Sequence, residues 1–234
     1  MLLYAHRGAH QTHPENTLEA FEAAIAQGAD GVELDVRTCG SGEVVVAHDP
    51  HFGRVAGRAA WVAHMPWAAL RELDLGGGAR PPLLDHAIDL VVGAGLALNV
   101  EVKGDVPNRR ATARAVAQLL GRRSERERDA ILLSSFDPIV LGSLGGVGAR
   151  RAFLFDRENT GLLRAALFHA AVRPEGLHPH HALCNPRRMR RWKRAGLFVN
   201  PWTVNDPDEA RRLETLGVDG LVTDDVPALS SRSR

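Results

Sequence analysis

Residues 31–36 read Gly-Val-Glu-Leu-Asp-Val, and this short stretch indicates the fold of the whole chain. Successive side chains of a β-strand point to opposite faces, so Glu33 and Asp35 share one face and the apolar residues occupy the other. Residues 98–103, Leu-Asn-Val-Glu-Val-Lys, repeat this arrangement with Glu101 and Lys103. Both stretches predict strands that carry charged side chains toward a site.

Apolar strand-like runs alternate with helix-like stretches along most of the chain. The predicted strands cover residues 2–5, 31–36, 44–47, 96–102, 130–134, 151–155, 176–178, 197–199 and 220–223. Apolar residues at helical spacing predict helices over residues 16–27, 83–92, 110–120, 162–170, 186–194 and 207–216. This repetition indicates an α/β fold with a parallel sheet, and its eight units fit a TIM (β/α)8 barrel if 44–47 is an accessory strand.

The length and composition indicate one domain. The chain has 234 residues, of which 44% are hydrophobic, and we expect a single barrel domain over residues 1–234. Residues 53–78 are rich in Gly, Ala and Trp and interrupt the alternation, so we interpret them as a small insertion after the second strand, near the mouth of the site. Residues 229–234 are expected to form a flexible tail.

The composition of the chain bears on its partners and its location. Lys and Arg total 29 against 28 for Asp and Glu, which gives no global argument for binding nucleic acid. Cys39 and Cys184 are too few for a disulfide framework. No run approaches the roughly 18 apolar residues of a membrane-spanning helix, and no signal peptide precedes the first strand. We therefore expect a cytoplasmic protein without stable membrane insertion, and the sequence carries no signal for an oligomeric state.

Reactive side chains cluster where the predicted strands end, as active-site residues do in TIM barrels. Three inward carboxylates around one mouth would repel one another without a cation, which favours metal binding over structural ion pairs. Two histidines with ordinary pKa values near 6.5 can act as acid and base near neutral pH. The carboxylates are Glu33, Asp35 and Glu101, the histidines are His6 and His48, and the neighbouring cations are Arg7 and Lys103.

The charges of this set suit a phosphate ester. Three carboxylates, two cations and one divalent ion leave a net charge of about +1 to meet a phosphodiester of charge −1 when the histidines are neutral. Ligands that are all oxygen favour Mg²⁺ or Ca²⁺ over Zn²⁺ and also accept Mn²⁺. The residues themselves therefore predict cleavage of a phosphate ester assisted by one divalent cation.

The chain resembles the glycerophosphodiester phosphodiesterase family over nearly its whole length. The resemblance rests on an ordered set of motifs: Ala5-His6-Arg7-Gly8, Pro14-Glu15-Asn16-Thr17, Ala20-Phe21, Gly28-Ala29-Asp30, Glu33-Leu34-Asp35-Val36, His48-Asp49, Asn99-Val100-Glu101-Val102-Lys103, Trp202-Thr203-Val204-Asn205 and Gly217-Val218-Asp219-Gly220-Leu221-Val222-Thr223-Asp224. It implies a TIM-barrel hydrolase that uses a divalent cation to cut glycerophosphodiesters into sn-glycerol 3-phosphate and an alcohol. The catalytic pair would be His6 and His48, and the metal ligands would be Glu33, Asp35 and Glu101.

Further residues are assigned supporting roles. Arg7 and Lys103 are expected to stabilise charge on the phosphoryl oxygens. Trp202 either packs in the core or forms a wall for the glycerol moiety. Glu15 is expected to orient the first loop, and Asn16 to fix that loop or cap the following helix.

Two segments depart from the family pattern. After His48-Asp49 the family usually has Leu followed by Arg-Thr-Thr and Gly, whereas residues 50–57 read Pro-His-Phe-Gly-Arg-Val-Ala-Gly. The family's Ile-Pro-Thr-Leu-Glu-Glu appears at residues 80–86 as Arg-Pro-Pro-Leu-Leu-Asp-His. Both changes lie in or beside the insertion, so they bear on the alcohol-side specificity and not on the phosphate chemistry.

An in-line displacement at phosphorus leaves two routes open. We hypothesise that the glycerol 2-hydroxyl of the substrate attacks first, because a vicinal hydroxyl has a high effective molarity. Water would then open the cyclic glycerol phosphate with the histidine roles exchanged. Direct attack by water is the competing route, and the sequence does not assign acid and base to His6 and His48.

Other functions fit the sequence less well. A related lysophospholipase D would release a headgroup from a lysolipid, but the insertion has little apolar bulk, which favours a small water-soluble substrate. A non-catalytic module that binds polyol phosphates, or an open-sheet phosphate-binding protein, would not need both histidines. The histidine-rich tract at residues 178–181 is a weaker candidate for a second metal site, and the basic run at 187–194 is interpreted as a solvated helix face.

Overall fold

The structure is a computed structural model that describes residues 1–156 and 172–230. Its strands are β1 Leu2–His6, β2 Gly31–Thr38, β3 Val44–Val46, β4 Ala97–Val102, β5 Ile131–Ser135, β6 Arg150–Phe155, β7 Gly176–Pro179, β8 Phe198–Val199 and β9 Gly220–Thr223. All except β3 run parallel in one sheet, in the order β8-β7-β6-β5-β4-β2-β1-β9.

The two outer strands of this order meet and nearly close the sheet. The backbone N–H of Asp219 donates to the carbonyl of Val199 at 2.9 Å, and that of Val222 donates to the carbonyl of Pro201 at 3.0 Å. These hydrogen bonds join the segment around β8 to β9. The eight parallel strands therefore form a barrel, which confirms the TIM-barrel prediction.

Helices cover the outside of the barrel. They are α1 Leu18–Ala26, α2 Gly53–Ala56, α3 Trp67–Leu70, α4 Leu84–Val91, α5 Arg109–Leu120, α6 Glu125–Asp129, α7 Pro138–Ser143, α8 Pro186–Arg194, α9 Pro207–Thr215 and α10 Val226–Ser230. Helix α1 begins at Leu18, two residues after the predicted start, because the Thr17 side chain caps it by accepting a hydrogen bond from the backbone N–H of Ala20 at 3.2 Å. The predicted helix over residues 162–170 lies outside the described residues.

The alternation in β2 separates the core from the site. Val32, Leu34 and Val36 point outward and are fully buried in a cluster that includes Phe21 of α1 and Ile88 of α4. The intervening carboxylates face the barrel interior. In the parallel register, Glu33 lies beside Asn99, and Asp35 beside Glu101, so the carboxylates of two strands occupy adjacent levels. The apolar periodicity of the sequence thus fixes which side chains enter the site.

The accessory strand β3 turns the chain back toward the site. It pairs antiparallel with β2, with Val46 opposite Val36, and the backbone N–H of Ala47 donates to the carbonyl of Asp35 at 2.9 Å. His48 follows directly. The structure thus gives β3 the accessory place that the sequence analysis assumed, and explains how a strand outside the barrel delivers a side chain to its mouth.

Residues 53–78 contain α2, a 3₁₀ turn at Val62–His64 and α3. They pack on a small core of their own, in which Phe52, Val62, Leu70 and Leu75 surround Val45 of β3. This segment lies between β3 and β4 in the chain. Its buried apolar residues therefore hold the segment against the barrel.

The end of the described chain differs from the predicted tail. Leu229 and Ser230 belong to α10, and Leu229 packs in the same buried cluster as Leu221 and Leu213. The prediction of a tail from residue 229 was wrong at these two positions, because Val226 and Leu229 are spaced to face the barrel together. Residues 231–234 lie outside the described part of the chain.

Candidate active site

Three carboxylates converge at the carboxyl end of the barrel. Glu33 and Asp35 extend from β2 and Glu101 from β4, and one oxygen of each lies within 4.8 Å of the others. All three side chains are buried. The ligand set contains oxygen only, as hard divalent cations prefer.

Lys103 compensates part of this negative charge. Its Nζ lies 2.6 Å from Oδ1 of Asp35 and 2.8 Å from Oε1 of Glu101. Burial disfavours the charged carboxylate of Asp35, but Lys103 and the other nearby cations outweigh burial, and the pKa of Asp35 lies well below its usual range. Asp35 is therefore ionised at neutral pH.

Glu33 has weaker compensation, which comes from His6 and Arg7. Burial, followed by the neighbouring Asp35 carboxylate, raises the pKa of Glu33 to about 8. Burial also raises the pKa of Glu101, although Lys103 opposes the shift. A raised pKa means that another positive charge in the cluster would favour ionisation, so the three carboxylates fit a divalent cation.

His6 is oriented by a carboxylate from the last strand. Its Nδ1 donates to Oδ1 of Asp224 at 2.6 Å, and its Nε2 lies 4.0 Å from Oε2 of Glu33. Burial opposes protonation of this ring, but the hydrogen bond to Asp224 and the nearby Glu33 outweigh it and raise the pKa of His6. The Asp224 contact thus directs the second ring nitrogen toward the carboxylates.

His48 reaches the site from the segment that follows β3. Its Nδ1 lies 2.8 Å from Oδ1 of Asp49, whose other oxygen accepts from Nε of Arg54 at 2.8 Å. Burial lowers the pKa of His48, although Asp35 acts in the other direction. The two histidines therefore have pKa values shifted in opposite directions.

The loop after β1 holds the cations and the carboxylates together. Arg7 and Asn16 both adopt left-handed backbone conformations, with φ of 53° and 58°. The Asn16 amide donates to Oδ2 of Asp35 at 2.9 Å, and the Asp35 backbone N–H donates back to Oδ1 of Asn16 at 3.3 Å. Glu15 accepts from Arg7 at 3.1 Å and from both terminal nitrogens of Arg54 at 2.7 Å. Such strained backbone persists where surrounding contacts fix it, often at functional sites.

These groups open into one cavity of about 230 Å³. Trp202 lies at its wall, where its Nε1 donates to the carbonyl of His178 at 2.8 Å and its ring contacts Phe136 edge to face at 5.5 Å between centroids. The lining residues include His6, Arg7, Glu33, His48, Asn99, Glu101, Lys103, Leu154 and Trp202. The predicted site residues are thus brought together, with Asp35, Glu15 and Asn16 supporting them from behind.

The histidine tract at 178–181 is divided between separate environments. His178 is buried inside the barrel, and burial lowers its pKa to about 3. His181 instead lies 2.7 Å from Oε1 of Glu209. Among the residues that the structure describes, this tract does not form a cluster of three candidate ligands at one point.

Several contacts of the site were missed by the sequence analysis. Asp224, Asp49 and Arg54 orient the two histidines and Glu15, although none was assigned a role. Two features of the sequence could have indicated these roles. Asp224 directly follows a predicted strand, and Asp49 directly follows His48. Arg54 lies in the segment that departs from the family pattern, and its contacts link sequence positions 39 residues apart.

The fold and site define a barrel enzyme of the phosphodiesterase class. The sequence matches the glycerophosphoryl diester phosphodiesterase family over residues 6–228, and the chain belongs to this family. It is 29% identical to a glycerophosphodiester phosphodiesterase from Caldanaerobacter subterraneus subsp. tengcongensis, with 97% of this chain and 96% of the relative covered.

Solved structures show the same architecture. A phosphodiesterase from Oleispira antarctica, in complex with the product sn-glycerol-3-phosphate, has a TM-score of 0.88 and 26% identity over 99% of this chain and 96% of its own. A glycerophosphodiester phosphodiesterase from Thermotoga maritima has a TM-score of 0.83 and 30% identity over 99% and 97% of the two chains. In residues 1–156 and 172–230, no helix is both long enough and apolar enough to cross a membrane.

Proposed function

We propose that this protein hydrolyses glycerophosphodiesters to sn-glycerol 3-phosphate and an alcohol with a divalent cation. The observation that carries the proposal is one cavity lined by His6, His48, Glu33 and Glu101, with Asp35 behind it completing the cluster of three buried carboxylates. The product complex of the Oleispira antarctica structure supports the same product here. We further propose that the enzyme acts in the cytoplasm.

Glu33, Asp35 and Glu101 would hold the cation, with Mg²⁺ or Ca²⁺ as the favoured ions and Mn²⁺ as a substitute. When bound, it would polarise a phosphoryl oxygen and lower the pKa of a hydroxyl. Lys103 keeps Asp35 ionised. Arg7 contributes positive charge beside the same carboxylates, since its Nε lies 3.4 Å from Oδ2 of Asp35.

His6 and His48 would transfer the protons of the two steps. In each ring Nδ1 lies beside a carboxylate, Asp224 for His6 and Asp49 for His48, at 2.6 and 2.8 Å. Nε2 is then the nitrogen available to the substrate, and a base and an acid are needed on opposite sides of phosphorus. The assignment of attack and leaving-group protonation between the two rings stays open.

Trp202 would form the wall for the glycerol moiety. Its indole N–H is already bonded to the His178 carbonyl, so the indole is held in place and offers its apolar surface. The cavity is small, and most of the residues that line it have charged or polar side chains, which fits a glycerophosphate. It offers little surface to an acyl chain, so a lysolipid is the less favoured substrate.

The direct test is an activity matrix with purified protein. Glycerophosphocholine, glycerophosphoethanolamine and lysophosphatidylcholine are each combined with Mg²⁺, Ca²⁺, Mn²⁺ or a chelator, and sn-glycerol 3-phosphate is measured. We expect cleavage of the first two substrates with metal, loss with chelator, and loss in His6→Ala and Glu101→Gln. His13→Ala and Glu125→Gln are matched controls because both side chains are exposed.

Two outcomes would contradict this proposal. A folded protein that binds glycerol phosphate without cleaving any diester would be a binding module. Preferential release of choline from lysophosphatidylcholine would make the enzyme a lysophospholipase D.

A further inference from the structure

A second group of candidate metal ligands lies beside the carboxylate cluster. His6, His10 and Asp224 each offer one ligand atom, and these atoms lie within 4.8 Å of one another. All three side chains are half-buried, with 21 to 23% of each exposed. Solvent therefore has access to a group that contains two imidazoles and one carboxylate.

The hydrogen bonds of His10 fix which ring nitrogen faces this group. Nδ1 of His10 lies 3.2 Å from the backbone carbonyl of His6, and a carbonyl can only accept, so Nδ1 carries the proton. Nε2 lies 3.4 Å from Oδ1 of Asp224. Metal-binding histidines are commonly held in this way, with one ring N–H bonded to a backbone carbonyl and the other nitrogen turned to the ion.

This orientation leaves a specific electrostatic defect. With its proton on Nδ1, the neutral His10 ring presents the Nε2 lone pair to the Asp224 carboxylate, so two acceptors face each other. The proton on Nδ1 of His6 is directed to the same oxygen, at 2.6 Å. A cation placed among the three side chains would remove the mismatch at His10.

We propose that His6, His10 and Asp224 form a second metal site, selective for Zn²⁺ and similar transition-metal ions, and that its occupation inhibits the enzyme. Nitrogen ligands favour Zn²⁺ over Mg²⁺ and Ca²⁺, whereas the all-oxygen cluster favours the hard ions. Tetrahedral Zn²⁺ places its ligand atoms about 3.3 Å apart, so the 3.4 Å separation of His10 and Asp224 already fits.

Inhibition follows from the ligand that His6 would contribute. Zn²⁺ would take the place of the Nδ1 proton of His6, and the neutral ring would then carry its proton on Nε2, the nitrogen that faces the carboxylates, so that Nε2 could no longer accept a proton. The hydrogen bond that orients His6 is then lost and the ring is held by the ion. The inhibitory part of this inference rests on the proposed catalytic use of His6, whereas metal binding at the site does not.

The test measures binding and inhibition separately at pH 8 with saturating Mg²⁺. Co²⁺, added without Zn²⁺, serves as a spectroscopic probe of the site. Zn²⁺ binding is measured by calorimetry. His10→Gln is the test variant, because glutamine can bond to the His6 carbonyl and is a poor zinc ligand. We expect it to weaken Zn²⁺ and Co²⁺ binding by about 100-fold, at the upper end of effects seen when metal-site residues change.

His13→Gln is the matched control, since His13 lies in the same loop, is exposed and is not in the group. It should bind both ions as the wild type does. Inhibition by Zn²⁺ is expressed as a fraction of each variant's own Mg²⁺-supported rate. We expect the Zn²⁺ concentration that inhibits His10→Gln to rise in parallel with the dissociation constant of Zn²⁺ for this variant.

The outcomes separate this inference from the proposed function. Unchanged Zn²⁺ binding in His10→Gln would overturn the site. Loss of binding in Glu101→Gln but not in His10→Gln would place the ion in the carboxylate cluster and also overturn it. Tetrahedral Co²⁺ that depends on His10, in a protein that cleaves no diester, would support the site and overturn the proposed function.

Discussion

The ammonium of Lys103 lies 2.6 Å from Oδ1 of Asp35, with both side chains buried. Asp35 belongs to β2, and Lys103 directly follows the neighbouring strand β4. The pair holds one charged carboxylate in a place where burial alone would favour its neutral form. Lys103 is therefore a structural as well as an electrostatic part of the site.

Replacing Lys103 by Met should destabilise the protein in the absence of divalent cations. Removing one partner leaves a buried carboxylate without its counter-charge, which typically costs about 3 kcal/mol or more. Urea unfolding with chelator measures this loss. Added Mg²⁺ should recover part of it, because the cation binds the same carboxylates.

Lys193→Met is the matched control for this measurement. Lys193 is paired with Asp219 at an exposed position, so its loss should cost about 1 kcal/mol or less. Equal destabilisation by the two substitutions would contradict the interpretation of Lys103.

Replacing Asp224 by Asn should impair catalysis with little change of the fold. The carboxylate raises the pKa of His6 against the effect of burial, so its loss should lower that pKa. In the profile of kcat/KM against pH, the limb that reports His6 should move toward lower pH. The value of kcat should fall by about 100-fold, as when a proton-transfer group is lost.

Asp225→Asn is a control at the next position, since the Asp225 carboxylate accepts from Ala228 N instead of touching His6. It should retain the wild-type pH profile. An Asp224→Asn profile identical to that of the wild type would show that Asp224 does not act through His6.

The buried His178 should make stability depend on pH. Burial lowers its pKa in the folded protein to about 3 from an ordinary 6.5. As the pH falls below 6.5, His178 takes up a proton in the unfolded chain but stays neutral in the folded protein. The free energy of unfolding therefore decreases as the pH falls from 6.5 toward 3. The full difference corresponds to roughly 5 kcal/mol.

His178→Gln should remove this part of the pH dependence. Chemical denaturation between pH 7.5 and 4.5 measures the slope, with the exposed His13→Gln as control. A variant with the same slope as the wild type would mean that other groups carry it.

The substrate's own 2-hydroxyl should be needed for rapid turnover. A glycerophosphodiester without this hydroxyl lacks the neighbouring nucleophile, and the loss of its high effective molarity should slow cleavage by at least about 100-fold. Phosphorus NMR on a slow variant should also reveal the cyclic glycerol phosphate. Normal turnover of the 2-deoxy substrate would establish direct attack by water.

Much of the fold followed from local periodicity. The alternation in residues 31–36 and 98–103 predicted which carboxylates share a face, and the parallel register then set Asp35 beside Glu101. The accessory position of β3 also followed, because eight other strands already filled the barrel. These features depend on neighbours in sequence, which a single chain displays directly.

The partners that orient the site could not be predicted in the same way. His6 and Asp224 are separated by 218 positions, and no local pattern pairs them. The histidine tract looked like one group, but strand β7 takes His178 into the barrel while His181 contacts Glu209 from α9. Such contacts depend on how distant strands are brought together.

The first strand lies between the second and the last in the finished sheet, and this placement has a consequence during synthesis. His6 leaves the ribosome early, yet the strand that flanks it and the aspartate that orients it come more than two hundred residues later. The three carboxylates of the acidic cluster have all been translated by residue 101, long before the aspartate that positions this histidine. Competence for hydrolysis is thereby delayed until translation has passed residue 224.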